Sequence, residues 1–176
     1  MQYVVLGLLI LSPMTVYNIN KSFEQGISLF YSASLGSLQT TLRGLLNNKL
    51  VDFKQEIENG RNKKTYHITP KGRKVFMTWM MEPIPLKNLE VNILSRIYFL
   101  GIIEAEETRR SIVHHMVESA EQMKLILHST EEMVMGISVP DSYRHVFKYQ
   151  TKTLDYGIQA HVFAIDWLNK ILAEMN

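Results

Sequence analysis

A hairpin signal in the first half of the chain restricts its fold more than any other feature. Asn59-Gly60 is a strong two-residue turn signal, because both residues tolerate the positive φ angles that tight hairpin turns need. Residues 51–57 alternate between apolar and polar with one exception, and residues 64–68 resume the alternation beyond the turn. The pattern predicts two antiparallel strands inside a region whose other segments are typical of helices.

Helical segments flank the predicted hairpin. Three of them come first, either apolar throughout or with apolar residues at helical spacing. They cover residues 3–11, 15–25 and 32 or 34 to about 48. Thr69-Pro70 then begins a fourth helix, with Thr69 as the N-cap and Pro70 at the first helical position. Three helices, a hairpin and a further helix form a winged helix-turn-helix, so the sequence predicts a mainly α chain with an N-terminal α+β winged helix-turn-helix.

Two closely spaced prolines end the winged-helix pattern. Pro83 and Pro85 prevent a continuous helix, so residues 83–88 are predicted to be a linker. The segments that follow have helical periodicity, and the last helix carries apolar residues at alternating spacings of three and four. We therefore expect a winged helix DNA-binding domain over residues 1–82 and an all-helical dimerisation domain over residues 89–176.

The seam on the last helix, predicted at about residues 142–175, requires a partner helix. Six of its residues are assigned to dimerisation: Leu154, Ile158, His161, Ile165, Leu168 and Leu172. The seam can pack inside one chain, against a helix predicted at residues 104–134, or across a two-fold axis against a second copy. The spacing favours neither arrangement. Large apolar side chains contribute about 1.5–3 kcal/mol each when buried, so we expect a homodimer that uses these helices in both ways.

The charge of the chain is unevenly distributed. Residues 1–85 contain 10 Lys and Arg against 5 Asp and Glu, whereas residues 86–176 contain 9 against 12, which gives the net charge of +2. A basic first half favours a polyanionic partner. The chain has no cysteine, which excludes disulfides, thiolate metal sites and cysteine nucleophiles. The apolar run at residues 4–11 is too short to span a membrane, and a cytoplasmic protein without a membrane partner is expected.

Catalytic motifs are missing from the sequence. It has no nucleophile elbow, no glycine-rich phosphate loop and no paired carboxylates with an identifiable role, so no enzyme and no cofactor are predicted. His114 and Glu118 have the i, i+4 spacing of zinc ligands but lack a third ligand. A solvated helix face explains them better, and no metal site is assigned.

Polar residues between the leucines of the third helix form the candidate DNA-reading surface. Gln can pair with adenine, Arg with guanine, and Thr methyl groups can contact thymine. The residues are Ser34, Ser37, Gln39, Thr40, Thr41 and Arg43. Beyond the turn, Arg61, Asn62, Lys63 and Lys64 form a basic wing suited to phosphates or to a minor groove. Alternatively, the polar face of the helix is only solvated surface, or the wing binds another protein. The helix and the wing together favour DNA binding.

Several segments resemble the PadR-type transcriptional regulators. In the first half they are LGLL at residues 6–9, SPMTVY at 12–17, SLGSL at 34–38, LRGL at 42–45, Gly60-Arg61, and KTYHITPKGR at 64–73. In the second half they are TLDYGI at residues 153–158 and IDWL at 165–168, which resemble the helical domain of the virulence-activator-like branch. The resemblance covers nearly the whole chain.

The resemblance implies a homodimer that binds double-stranded DNA, with Tyr17 beside the DNA backbone. Lys21 lies on the outer face of the same predicted helix and joins this contact set. Many members have Tyr-Pro where this chain has Gln39-Thr40, so the contacts of that Tyr are not carried over. We expect a repressor that places two recognition helices in successive major grooves of a pseudo-palindromic operator, with centres roughly 34 Å apart or a multiple of that distance.

A small aromatic effector is a further expectation. The resemblance implies, for some members, a small molecule bound near the junction of the two domains. Four residues that are large and apolar or aromatic lie on either side of the predicted linker and are assigned to such a pocket. They are Trp79, Met80, Tyr98 and Phe99.

Overall fold

The computed structural model of the chain describes residues 1–58 and 61–175, without the side chains of Glu58 and Arg61. The predicted turn at Asn59-Gly60 lies outside the described residues. In the part of the chain that is described, no helix is both long and apolar enough to cross a lipid bilayer.

The chain forms two compact units. The first contains residues 1–82 and 90–103, and the second contains residues 83–89 and 104–176. The helices and strands, in chain order, are α1 (Gln2–Leu11), β1 (Met14–Thr15), α2 (Val16–Gln25), α3 (Leu35–Asn47), β2 (Val51–Glu58), β3 (Arg61–Ile68), α4 (Pro70–Met81), α5 (Leu89–Phe99), α6 (Glu106–Met135) and α7 (Arg144–Glu174). Single turns of 3₁₀ helix follow α2 and α5 and precede α7.

Three strands form an antiparallel sheet in the order β1-β3-β2. In the chain, β1 lies between α1 and α2, whereas β2 and β3 lie between α3 and α4. β2 and β3 pair from Val51↔Ile68 to Glu58↔Arg61, which is the predicted hairpin. β1 adds a short third strand through the pair Met14↔Tyr66. The sequence did not predict β1, because two residues are too few to show an alternation.

Side-chain caps begin α3 and α4 at predicted residues. Ser34 Oγ accepts from the backbone N–H of Ser37 at 3.2 Å, and the Ser37 hydroxyl oxygen accepts from the backbone N–H of Ser34 at 3.0 Å, which is a reciprocal capping box. Thr69 Oγ1 accepts from the backbone N–H of Gly72 at 3.0 Å and lies 2.8 Å from the carbonyl oxygen of Lys49, to which it donates. Thr69 therefore joins the start of α4 to the α3–β2 connection.

α5 packs into the core of the first unit, although the chain reaches it only after the predicted linker. Gly7 on α1 leaves room for the ring of Phe99, because a Cβ built on Gly7 would lie 2.8 Å from that ring. Phe99 is 1% exposed, and its ring lies edge-on to Phe76 of α4 at 5.7 Å between centroids. The predicted boundary at residues 83–88 separates α5 from the first unit, whereas the structure packs α5 into that unit. Helical periodicity shows that a helix has an apolar face, but it does not show which unit buries that face.

α6 and α7 form an antiparallel helical hairpin in the second unit. The guanidinium of Arg110, near the start of α6, donates to the carbonyl oxygens of Leu172 and Met175 at the end of α7, at 3.3 and 3.0 Å. Buried residues line both helices: Ile112, Val113, Met116, Val117 and Ala120 on α6, and Ile158, Ile165, Leu168 and Leu172 on α7.

The seam assigned to dimerisation is therefore occupied inside a single chain. Four of its six residues are buried, and Leu154 and His161 are half-buried. This is one of the two arrangements expected for the seam, and the assignment of its six residues to dimerisation stays a prediction. The spacing of three and four identifies a helix–helix contact, but it does not distinguish a partner helix of the same chain from one of another chain.

Candidate nucleic-acid interface

The outer face of α3 carries two long polar side chains that are available for contacts. Gln39 and Arg43 are exposed and lie four residues apart, so they share one face of the helix. Within the described part of the chain, neither side chain makes a hydrogen bond or an ion pair. Leu38, Leu42 and Leu45 are buried on the other side, and their packing fixes the rotation of α3 about its axis.

The four hydroxyl residues assigned to α3 have local roles. Ser34 and Ser37 form the capping box described above. The hydroxyl of Thr40 donates to the carbonyl oxygen of Gly36 at 3.0 Å, and that of Thr41 donates to the carbonyl oxygen of Ser37 at 2.9 Å. Ser34 and Thr40 are exposed, whereas Ser37 and Thr41 are half-buried. As DNA contacts all four stay predictions, and Ser34 and Thr40 are the more accessible pair.

Tyr17 and Lys21 lie on the outer face of α2, one turn apart. The Tyr17 side chain is 72% exposed, and Lys21 is also exposed. Thr15 begins the helix, since its hydroxyl oxygen accepts a backbone N–H of the first turn at 3.2 Å. Ile19 and Phe23 are buried on the inner face, which turns Tyr17 and Lys21 towards solvent.

The basic wing is the outer part of the β2–β3 hairpin. Asn62, Lys63 and Lys64 are exposed, while the side chain of Arg61 lies outside the described residues. Lys63 lies directly opposite Glu56 in the strand register. Directly opposed residues of an antiparallel pair are close neighbours, so this carboxylate offsets part of the positive charge of the wing.

An aromatic ring holds the Lys64 amine in place. Nζ of Lys64 lies 3.7 Å from the centroid of the Phe53 ring, a cation–π contact. Lys64 sits diagonally across from Phe53, because Phe53 pairs with Tyr66 two residues further along β3. Sequence reasoning missed this contact, although the predicted strand alternation with a two-residue turn implies the register that produces it.

The four residues assigned to an effector pocket are mostly part of the core of the first unit. Trp79 is 7% exposed, Met80 and Phe99 are each 1% exposed, and only Tyr98 is at the surface, 46% exposed. The Trp79 ring stacks on Tyr3, with 4.7 Å between centroids. Neighbouring side chains therefore already cover three of the four, and their role in ligand binding stays a prediction.

A buried arginine stands beside Trp79. The side chain of Arg96 is 1% exposed. One terminal nitrogen donates to the Trp79 carbonyl oxygen at 3.0 Å, and the guanidinium carbon lies 4.5 Å from the Trp79 ring centroid. Burial lowers the pKa of Arg96 to about 10, and the charges of Glu82 and Tyr3 act in the opposite direction. The sequence could have indicated that Arg96 is buried, because it occupies a position of α5 where the helical spacing of the inner face predicts an apolar residue.

Metal-binding residues do not cluster in the structure. Among residues 1–58 and 61–175, no three His, Asp or Glu side chains lie close enough together to hold a metal ion. His114 and Glu118 are both exposed on α6.

The first unit has the architecture of the winged-helix class of DNA-binding proteins. α2 and α3 form the helix-turn-helix pair, and the β2–β3 hairpin forms the wing that follows it. The predicted fold class, a mainly α chain with an N-terminal winged helix-turn-helix and a helical second half, is confirmed.

Comparison with known proteins identifies the family. Residues 5–78 match the model of the transcriptional regulator PadR-like family, and residues 92–176 match that of the virulence activator alpha C-terminal domain. The chain belongs to the PadR-like family of transcriptional regulators, whose members are regulators and not enzymes. The resemblance found in the sequence is confirmed.

Two transcriptional regulators, one of them described as probable, match this chain over most of their length. The negative transcriptional regulator PadR of Bacillus subtilis is 22% identical over 176 residues, which cover 98% of this chain and 96% of that protein. A probable transcriptional regulator of Mycobacterium tuberculosis is 25% identical over 171 residues, covering 88% and 86%. The crystal structure of Bacillus subtilis PadR in complex with operator DNA matches with a TM-score of 0.46 and 21% identity, covering 99% of this chain and 98% of that one.

Proposed function

We propose that this PadR-like regulator binds duplex DNA sequence-specifically as a homodimer and represses transcription. One observation carries the proposal: Gln39 and Arg43 project from the outer face of α3, and no described residue engages either side chain. A helix in a major groove needs side chains of this kind, long enough to reach base edges and free to form bonds there.

Base readout is assigned to these two residues. The Gln39 amide suits adenine, which offers a donor and an acceptor, and the Arg43 guanidinium suits the two acceptors of guanine. Each well-formed pair of this type discriminates against the wrong base by about 1–3 kcal/mol. The Thr40 methyl group lies next to Gln39 in the chain and is assigned to a thymine methyl contact.

Phosphate contacts are assigned to the wing and to α2. Arg61, Asn62, Lys63 and Lys64 supply the wing contacts, with Lys64 held in place by its contact with the Phe53 ring. Tyr17 and Lys21 supply contacts from the outer face of α2, and Ser34, Ser37 and Thr41 supply further contacts around α3. Such contacts position a protein on the duplex and carry no sequence information of their own.

A two-fold dimer would place two copies of α3 in successive major grooves, with centres roughly 34 Å apart, on a pseudo-palindromic operator. A dimer bound over a promoter would exclude the polymerase. The role of the Bacillus subtilis relative as a negative transcriptional regulator supports repression here. The proposal includes control by a small aromatic effector. The residues assigned to its pocket are Trp79, Met80, Tyr98 and Phe99. Binding there requires the core side chains among them to move apart.

Substitutions that separate base readout from phosphate binding test the proposal. Gln39→Ala and Arg43→Ala should lower affinity for the selected operator by about 1–3 kcal/mol each and leave random-sequence DNA almost unaffected. Lys64→Ala should weaken both DNAs alike and reduce the salt dependence by about 0.9 of a logarithmic unit per logarithmic unit of salt. Lys170→Ala, which removes an exposed cation from α7, is the matched control.

Titration of fluorescently labelled DNA between low and physiological salt measures these effects after operator selection from a random pool. Equal losses on operator and random DNA for the α3 variants would show that α3 does not read bases. Failure to select any operator, together with no binding at low salt, would favour the alternative, a helical module that binds another protein.

A further inference from the structure

The β2–β3 hairpin has two faces of different composition. Side chains of successive residues alternate between the faces, and directly paired residues share a face. One face carries four register pairs: Val51 and Ile68, Phe53 and Tyr66, Gln55 and Lys64, Ile57 and Asn62. We call it the core-side face, because Val51 is 2% exposed and Tyr66 is 7% exposed in the core of the first unit. The other is the solvent-side face, with the pairs Asp52 and His67, Lys54 and Thr65, Glu56 and Lys63.

The two faces differ in their acidic residues. Asp52 and Glu56 lie on the solvent-side face, where Glu56 is directly opposite Lys63. The eight positions of the core-side face contain no Asp or Glu, and Lys64 supplies their formal charge. Because like charges brought together across an interface repel each other, a phosphate backbone approaches the core-side face at the lower electrostatic cost.

The core-side face extends beyond the helices of the first unit. Asp52 and Lys54 on the solvent-side face are exposed, so the helices of this unit, α3 among them, pack against the opposite side of the sheet. From residue 53 outward the core-side face is itself accessible, since the Phe53 side chain is 40% exposed and that of Ile57 is 78% exposed. A duplex that lies along α3 therefore meets the projecting part of the hairpin from the core side.

We propose that the wing contacts duplex DNA with its core-side face and turns its solvent-side face away from the duplex. The inference rests on the proposed function, and it narrows the wing contacts named there to the side of the hairpin that carries Asn62 and Lys64. Lys64 binds a phosphate oxygen, and Gln55, directly opposite it in the register, donates from its amide to the same backbone. Lys63 contributes less, because it lies on the other face, opposite Glu56.

Phe53 acts as a positioning residue for Lys64. Nζ of Lys64 lies 3.7 Å from the centroid of the Phe53 ring, and this ring packs near Tyr66, with 6.1 Å between centroids. A lysine side chain loses much rotamer freedom when it becomes ordered, so a ring that already restrains the amine reduces the loss on binding. The N–H groups that point away from the ring remain able to donate to a phosphate.

Ile57 and Asn62 are the outermost pair of the core-side face. Both side chains are exposed, and together they combine an apolar group with an amide close to the turn of the hairpin. Proteins that enter the minor groove use apolar side chains beside amides and cations. Ile57 therefore packs against the sugars that line the minor groove next to the major groove that receives α3.

Cysteine protection tests which face the DNA covers, and the chain contains no native cysteine to interfere. Ile57→Cys and Glu56→Cys place a thiol at adjacent positions that lie on opposite faces. Saturating operator DNA should slow the reaction of the thiol at position 57 with a maleimide several-fold and leave the thiol at position 56 almost unaffected. Equal reactivity changes at the two positions, or stronger protection at position 56, would overturn the proposal.

Two charge variants test the same assignment without a label. Gln55→Glu and Lys54→Gln each lower the net charge by one, at exposed neighbouring positions on opposite faces. Gln55→Glu sets a carboxylate against the phosphates and should raise the dissociation constant for the operator ~10–100-fold. Lys54→Gln should raise it by less than ~3-fold, because its charge acts only through screened solvent. Circular dichroism verifies that both variants fold, and equal losses of affinity would contradict the assignment.

Phe53→Leu tests the positioning role, because it removes the ring but keeps an apolar side chain. It should weaken operator binding ~2–5-fold, the effect of losing an exposed cation–π contact, and should cause no further loss in a Lys64→Ala background. Phe53→Tyr, which keeps the ring, should bind like the wild type. An equal loss in both backgrounds would show that Phe53 does not act through Lys64.

Selection of an operator by the wild type is established first, so the two proposals can fail separately. A wild type that selects an operator, but whose variants show equal thiol protection at positions 56 and 57, would overturn the core-side assignment and leave the proposed function intact. A wild type that binds no DNA at low salt would overturn both.

Discussion

Substitution of Gly72 by Ala tests the contact between the start of α4 and the α3–β2 connection. A Cβ on Gly72 would lie 2.0 Å from the carbonyl oxygen of Leu50 and 2.9 Å from its carbonyl carbon. These are backbone atoms, so no side-chain rotation relieves the overlap. The same carbonyl oxygen accepts from the backbone N–H of Thr69 at 3.1 Å and from the Thr69 hydroxyl at 3.0 Å.

The magnitude follows from these contacts. Overpacking in a tightly packed region costs about 1–3 kcal/mol, and the two hydrogen bonds to Leu50 that must lengthen contribute ~0.5–1.5 kcal/mol each. Gly72→Ala should therefore lower the free energy of unfolding of the first unit by about 2–6 kcal/mol. At ~2 kcal/mol per molar urea, the unfolding midpoint falls by about 1–3 M.

Urea unfolding followed by the fluorescence of Trp79, in a Trp167→Phe background and at one protein concentration, measures the change. Gly44→Ala is the control: a Cβ on Gly44 meets nothing within 4 Å, so this helical position should gain about 0.5–1 kcal/mol. The same substitution, Gly to Ala, should thus lower the free energy of unfolding at position 72 and raise it at position 44. A loss below 1 kcal/mol for Gly72→Ala would refute the reasoning.

Three further outcomes are expected. Burial raises the pKa of Tyr66 above its usual value of 10, so Tyr66 stabilises the fold below pH 10, and that contribution is lost as pH rises through the folded-state pKa. Tyr66→Phe should therefore lose less stability at alkaline pH than the wild type. Equal slopes of the free energy of unfolding against pH in the two proteins would contradict this. Arg110→Ala removes the donor to the last carbonyls of α7 and should cost about 1–2 kcal/mol, with faster hydrogen exchange confined to that end of the helix. Arg96→Ala leaves the Trp79 carbonyl oxygen without its donor and should cost about 2–4 kcal/mol in thermal unfolding, while Arg96→Lys restores the charge but should not restore the stability.

Elements with strong local signals were predictable from the sequence. The hairpin followed from strand alternation around a two-residue turn, and α4 followed from Thr69 as a cap with Pro70 behind it. The third helix was predicted to begin at residue 32 or 34, and the structure shows Ser34 in a capping box. In each case the determining interaction joins residues close in sequence, so local chemistry suffices.

Features that depend on distant partners were not predictable in this way. Helical spacing groups Leu35 with the buried Leu38, Leu42 and Leu45, but its side chain is 51% exposed, because the first helical residue lies at the edge of this row of leucines. α5 was grouped with the second half of the chain, whereas it packs into the first unit, since the sequence does not show that Phe99 fills the space above Gly7. The seam on α7 was predicted as a contact that could lie within one chain or between two, and the spacing alone did not decide between them.

The candidate site shows the same division. Sequence reasoning identified the polar residues of α3, but it did not distinguish Gln39 and Arg43 from the hydroxyl residues that bond to the backbone. That distinction requires the positions of Gly36 and Ser37 carbonyl groups, which only the folded helix supplies. Likewise, the sequence does not distinguish the surroundings of Lys63 and Lys64. The strand register does, because it places Glu56 opposite Lys63 and brings the Phe53 ring close to Lys64.

Because Phe99 packs against Gly7, the first unit cannot complete its core during translation until Phe99 has been synthesised. A nascent polypeptide that has left the ribosome only as far as residue 82 has all of the winged-helix elements, but the face of α1 that receives Phe99 is still open to water. That gap closes after about twenty more residues emerge. A truncated version intended to fold alone should therefore end after residue 103, and one that ends at residue 82 should expose an apolar cleft and aggregate.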